Sequence, residues 1–293
     1  MAPFGQVLTA MITPFDDQGN VDYQQAWNLA AHLVENGCDG LVVTGTTGES
    51  PTLTSDEKVA LYRTVVEAVG SRAVVVAGTG TNNTASSVEL AKRAIDVGCH
   101  AVMAVTPYYS KPSQQGLVAH FTAIADASDV PVLLYNVPGR TGRLIEVETL
   151  AELSRHPRIV GVKDAVMDID HTAKTRLAVD EDFAIYSGQD SYTLSMMTVG
   201  AIGVVSVTAH LVSRQIKDMV EAFSKGDLDE AMRINYGLLP ISYACFAEPN
   251  PTPVKAAMNR LWGSVGRPRL PLVEASKATV DAIERALGVA QAL

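Results

Sequence analysis

Short runs of apolar, largely β-branched residues recur at regular spacing along the first two thirds of the chain, with helix-period patterns between them. The runs lie near Val7–Thr13, Leu41–Thr44, Val74–Ala77, Ala101–Val105, Val132–Asn136, Ile159–Lys163, Phe183–Ser187 and Ile202–Ser206. Most are apolar throughout, as expected of a parallel strand covered on both faces, which has no wet side to show. Ala26, Trp27, Ala30, Ala31 and Val34 share one face of a first helix, and Ile216, Met219, Val220 and Phe223 form the inward stripe of an eighth. Thr54 and Glu57 have the spacing of a capping box, in which each side chain satisfies a free backbone amide. Eight strand–helix units in series predict an α/β protein, a (β/α)₈ TIM barrel over residues 1–224. A doubly wound open sheet competes, but the strand count and the want of a complete dinucleotide fingerprint favour the barrel.

After Ser224 the strand pattern stops. Gly226 breaks the chain, Asp227 and Glu230 can cap a new helix, and Pro240 interrupts or ends it. Pro249, Pro251 and Pro253 form a rigid connector, with Thr252 and Pro253 placed as N-cap and first helical residue. A last helix is expected from Val273 to Leu287. Residues 225–293 therefore read as an all-helical C-terminal extension, too small to stand alone and packed on the barrel.

Composition narrows the function. The chain has 293 residues, 47% of them hydrophobic, and a formal net charge of −9. No run of Lys and Arg offers a nucleic-acid surface. No apolar run approaches the roughly 20 residues that span a bilayer, and no basic, apolar leader opens the sequence. Cys38, Cys99 and Cys245 are odd in number and far apart, which suits a reducing cytoplasm better than a disulfide framework. The six histidines show no ligand spacing, so a metal is not expected.

In such a barrel the active site forms at the carboxyl ends of the strands, and the unusual residues of this chain gather there. Lys163 ends the apolar run Ile159–Lys163. An amine that leaves a packed strand for a sheltered pocket is held away from water, which disfavours its charged form and makes it a nucleophile for a ketone. A lone lysine there would more often simply reach solvent; its company argues otherwise. Gly45 and Gly48 let the second strand's loop turn tightly, so that its amides and the hydroxyls of Thr46 and Thr47 can cradle a carboxylate, although an ordinary turn would look the same in isolation. Tyr109 and Tyr135 are candidates for handling protons, with Thr46 between them. Arg140, in a Pro-Gly-Arg-Thr-Gly loop, carries a fork suited to a second carboxylate.

The stretches Gly45–Ser50, Thr106–Tyr109, Tyr135–Gly142, Gly161–Lys163 and Gly203–Thr208 together resemble the pyruvate-dependent Schiff-base aldolase superfamily, and within it the dihydrodipicolinate synthase family. The resemblance runs the length of the chain. It implies a cofactor-free reaction in which Lys163 forms an imine with pyruvate and the resulting enamine attacks L-aspartate 4-semialdehyde. It implies a relay of Tyr135, Thr46 and Tyr109, pyruvate binding at Thr47, a carboxylate held by Arg140, and substrate contacts at Gly188 and Val205. It further implies a homo-oligomer, usually a tetramer built as a dimer of dimers, with the tyrosine matching Tyr109 supplied by a neighbouring subunit. The acid after the lysine is usually glutamate in this family; here it is Asp164.

Two alternatives remain open at this level. Sugar-acid and sialate aldolases of the same superfamily typically lack the arginine matching Arg140, and a non-catalytic metabolite binder would need neither nucleophile nor relay. Family members inhibited by lysine tend to carry histidines and a glutamate at an interface site; the matching positions here are Ser55, Lys58 and Ser86. Without the acid, and with a cation facing the incoming ammonium, weak or absent inhibition by lysine is expected.

Overall fold

In the computed structural model, which describes residues 2–293, eight short parallel strands close on themselves in sequence order. They are β1 (Val7–Ala10), β2 (Gly40–Val43), β3 (Val74–Gly78), β4 (Ala101–Val105), β5 (Val132–Asn136), β6 (Ile159–Asp164), β7 (Ala184–Ser187) and β8 (Gly203–Ser206). Closure is made by β1 pairing with β8, Leu8 opposite Val205 and Thr9 opposite Ser206. Alternate residues of each strand, among them Leu8, Val42, Val76, Met103, Leu133 and Val205, fill the barrel interior. The intervening residues pack outward under the helices, which is why the strands carry no polar face.

Helices α1 (Tyr23–Glu35), α2 (Ser55–Val69), α3 (Thr84–Asp96), α4 (Gln114–Asp126), α5 (Pro138–Thr141), α6 (Val147–Leu153), α7 (Ile169–Ala178), α8 (Thr193–Met197) and α9 (Ala209–Ser224) follow the strands. The capping box at the start of α2 forms in both directions. In α1 the buried face is Ala26, Leu29, Ala30 and Leu33, not the one read through Trp27, which is exposed. The apolar sequence runs on past β1, but the strand stops at Ala10, and Thr13 instead donates to Gly48 O at 2.7 Å.

Three helices complete the chain: α10 (Leu228–Cys245), α11 (Thr252–Leu261) and α12 (Lys277–Gln291). α10 lies against α9 and α12. Asp227 caps α10 by accepting from Glu230 N, and Pro240 sits inside the helix without ending it. Thr252 opens α11 as its first residue, with Pro251 rather than Thr252 at the cap. The last helix begins later than its apolar pattern suggests because Ser276 provides its N-cap. Among the described residues, no helix is long and apolar enough to cross a membrane.

One core residue carries a pH prediction. His210 is buried, accepts from Ile12 N at Nε2 (3.1 Å) and donates from Nδ1 to Val207 O (2.8 Å), which fixes a neutral imidazole. Burial lowers it from 6.5 to about 4. As pH falls from 6.5 towards 4, the unfolded chain takes up a proton that the folded one refuses, so stability is lost across that window, by roughly 3 kcal/mol for this one group. Urea midpoints measured across it should fall more steeply for the wild type than for His210→Asn; parallel curves would remove His210 as the cause.

Candidate active site

Lys163 and Tyr135 meet because of strand register. In the β5–β6 pair Tyr135 lies opposite Lys163 and Asn136 opposite Asp164; across β6–β7, Lys163 lies opposite Tyr186. Register partners face the same way, so these three long side chains enter the barrel while Asn136 and Asp164 turn outward. Lys163 is 5% exposed, and its Nζ stands 4.3 Å from the centroid of the Tyr135 ring. Tyr186 donates to Gly5 O at 2.8 Å, so its ring closes the amino-terminal end of the barrel below the amine.

A cavity of about 360 Å³ opens at the carboxyl ends of β2 to β5, with Thr44, Thr46, Lys58, Tyr108, Tyr135 and Arg140 among its walls. It gathers Thr46, Tyr135 and Arg140, and Lys163 adjoins it through the Tyr135 ring. The other expected residues are not walls of it. Thr47 is buried one residue behind Thr46. Gly188 follows β7 and donates from its backbone to Asp164 O at 2.7 Å; a Cβ there would come within 2.8 Å of Ala165 Cβ. Val205 is buried inside the barrel with Tyr135. Tyr109 stands outside: it is 90% exposed with φ at +71°.

The Gly45–Ser50 loop is fixed from several sides. Glu49 N donates to Thr46 O and Ser50 N to Gly45 O, which folds the loop back on itself. A Cβ on Gly48 would lie 2.9 Å from Thr44 Cα and 3.1 Å from Met11 O, so only glycine fits. Glu49, with φ at +56°, buries its carboxylate against Lys255 Nζ (2.7 Å) and accepts from Arg269 N (2.8 Å). Lys255 also stands over the Phe15 ring, 4.0 Å from its centroid. Burial pulls its ammonium down to about 8 against the opposing pull of Glu49. Asn250 Nδ2 donates to Thr47 Oγ1 at 2.9 Å.

The loop that carries Arg140 is held by Asn136, whose side chain donates to Ile145 O and accepts from Ile145 N, both at 3.0 Å. Arg140 itself is exposed at the rim. Asp164 accepts from Thr172 Oγ1 (3.0 Å) and Val166 N (2.9 Å), which ties the end of β6 to α7. His171 lies 3.6 Å from Asp164; burial lowers its pKa, but that carboxylate outweighs burial and leaves it raised. Among the described residues, no three His, Cys, Asp or Glu side chains converge as a metal site requires.

Sequence reasoning missed three contributors. Tyr108, not its neighbour Tyr109, lines this chain's cavity; both stand in the same short motif, and only the backbone turn separates them. Thr44, also with positive φ, shares a hydrogen-bond network with the buried phenol of Tyr62 and Gly78 O. Asn250 gave no local signal, since it lies 203 residues from Thr47.

Residues 3–290 match the model of the dihydrodipicolinate synthetase family. The chain belongs to that family. A 4-hydroxy-tetrahydrodipicolinate synthase of Desulforamulus reducens is 50% identical over 282 residues, 96% of this chain and 95% of the relative. Among solved structures, a dihydrodipicolinate synthase of Cyanidioschyzon merolae with lysine bound matches with a TM-score of 0.97 at 43% identity, covering 100% of both chains. A chloride-inhibited dihydrodipicolinate synthase of Acinetobacter baumannii complexed with pyruvate matches with a TM-score of 0.94 at 34% identity, covering 99% of this chain and 100% of that one. The chain is accordingly an enzyme, a Schiff-base aldolase-type lyase on a TIM barrel followed by C-terminal helices.

Proposed function

We propose that this enzyme condenses pyruvate with L-aspartate 4-semialdehyde through an imine on Lys163, in the biosynthesis of diaminopimelate and lysine. The observation that carries the reading is the Lys163 amine, sheltered inside the barrel against Tyr135, beside a cavity that holds Thr46 and Arg140. Thr46 and Thr47 receive the pyruvate carboxylate. Lys163 attacks the ketone, and loss of water gives the imine. Removal of a methyl proton gives an enamine, whose carbon attacks the aldehyde of the second substrate, the new alkoxide taking up a proton. The second substrate's amine then displaces Lys163 as the ring closes, which returns the free lysine. Tyr135 and Thr46 carry protons between these steps and water, Arg140 pairs with the second carboxylate, and Gly188 and Val205 border the bound keto acid.

Tyr109 completes the relay from a neighbouring copy. Its exposure in the single chain, on a backbone turned out by a positive φ, supports that assignment; a homotetramer built as a dimer of dimers is the assembly proposed with it. The test of the whole reading is direct: incubation with pyruvate, reduction with borohydride, and peptide mapping should find the reduced pyruvyl adduct on Lys163. Turnover with aspartate semialdehyde should exceed that with 2-keto-3-deoxy sugar acids. No adduct, or an adduct on another lysine, would overturn it.

The same reading includes weak or absent inhibition by lysine. Lys58 is buried in the wall of the cavity, and burial lowers its pKa, whereas Ser55 and Ser86 at the other two positions are exposed and neutral. The relative from Cyanidioschyzon merolae has lysine bound; here a second amine would meet Lys58 with no carboxylate at position 86 to offset it. Initial rates should hold nearly constant as lysine is raised, and half-inhibition at sub-millimolar lysine would refute the expectation.

A further inference from the structure

The segment after the barrel reaches Thr47 through one hydrogen bond. Asn250 lies just before α11, is buried, and donates from Nδ2 to Thr47 Oγ1 at 2.9 Å. An amide nitrogen can only donate, so the Thr47 oxygen is the acceptor and its own hydrogen remains to be given elsewhere. Among the described residues, no protein acceptor takes that hydrogen. Asn250 Oδ1 is likewise buried and without a partner. With the amide reversed, Oδ1 would accept from Thr47 and consume its hydrogen. As it stands, the side chain leaves its own acceptor orphaned, a costly state for a buried group.

The segment that carries Asn250 is pinned to the same loop a second time, since Lys255 of α11 pairs with Glu49 at 2.7 Å. Asn250 and Lys255 thus flank a short stretch docked on Thr47 and Glu49, two residues apart on the loop. The bond from Asn250 orients the buried Thr47 hydroxyl, and the Lys255–Glu49 pair fixes the loop two residues further on.

We propose that Asn250 is a positioning residue for the keto-acid carboxylate: it engages the Thr47 oxygen so that the Thr47 hydrogen is reserved for the ligand. The inference rests on the assignment of Lys163 and Thr47 given above. Asn250 does not touch substrate; it acts through Thr47, and it makes the C-terminal helices part of the substrate-binding apparatus.

The experiment measures borohydride-trapped adduct on Lys163 against pyruvate concentration, with steady-state kinetics and thermal midpoints alongside. Asn250→Ala should raise half-saturating pyruvate about 10-fold, as loss of one hydrogen bond feeding a charged acceptor does. Plateau labelling, kcat and the thermal midpoint should stay close to wild type. Thr47→Val should weaken binding at least as much, and N250A/T47V should be no worse than T47V alone, because the two side chains act as one unit. Asn250→Gln, which displaces the amide by one methylene, gives the same reading if the alanine variant folds poorly. Unchanged half-saturation in N250A, or losses that multiply in the double variant, would overturn the proposal. A wild type that traps no pyruvate overturns the Schiff-base function itself, whereas normal wild-type trapping with an unaffected N250A overturns only the role of Asn250.

Discussion

Replacement of Lys163 by methionine, which keeps the length of the side chain and deletes its amine, is expected to lower kcat/KM by on the order of 10³-fold or more. Every step proposed for the reaction passes through a bond to this nitrogen, so no neighbour can take over partially. Nothing comparable is expected for the fold. Lys163 lies 5% exposed among apolar side chains and the Tyr135 ring, and an apolar chain there removes a buried amine rather than creating an orphaned one. The thermal midpoint of Lys163→Met should therefore equal or exceed that of the wild type. The informative combination is catalytic collapse with a sound fold. Activity within tenfold of wild type would remove Lys163 as the nucleophile and leave the cavity without a chemical centre.

Lys255→Met is expected to do the opposite, costing about 3–5 kcal/mol of stability by leaving a buried carboxylate without its counter-ion. Lys255 and Glu49 are each about 1% exposed at the side chain and 2.7 Å apart. Arg269 N supplies the second carboxylate oxygen with a donor, but its guanidinium is committed to Glu57 and to the carbonyls of Gly19 and Thr52. The remaining charge on Glu49 would then be desolvated with one backbone donor. Because Glu49 belongs to the loop of Thr46 and Thr47, pyruvate binding should weaken together with stability. Adding Glu49→Gln should recover much of the lost stability, since it removes the stranded charge. Urea denaturation of both singles and the double measures this cycle; a single variant that costs under about 1 kcal/mol would show that water reaches the pair.

The local pattern determined a great deal. Short continuous apolar runs, covered on both faces, located all eight strands, and Thr54 and Glu57 announced their helix start without tertiary help. The glycine-flanked threonines and the lysine at a strand end pointed to the carboxyl end of the barrel, where the cavity opens, because in this architecture every strand delivers its terminus to one face. Edges were less legible. The apolar run after Ala10 does not continue β1, since its polar member Thr13 is used by Gly48, and Trp27 turns outward where Leu29 and Leu33 fill the core.

What only the tertiary structure decided is which distant side chains meet. Tyr135 faces Lys163 because of the β5–β6 register. Tyr108 enters the cavity and Tyr109 leaves it because the chain takes a positive φ at residue 109. Asn250 and Lys255 reach the threonine loop across 203 and 206 residues, respectively. Propensity and period are set by neighbours along the chain and so can be read from it. These contacts arise when a closed sheet brings the last helices back over the second strand, and barrel closure leaves no mark within any single window of sequence.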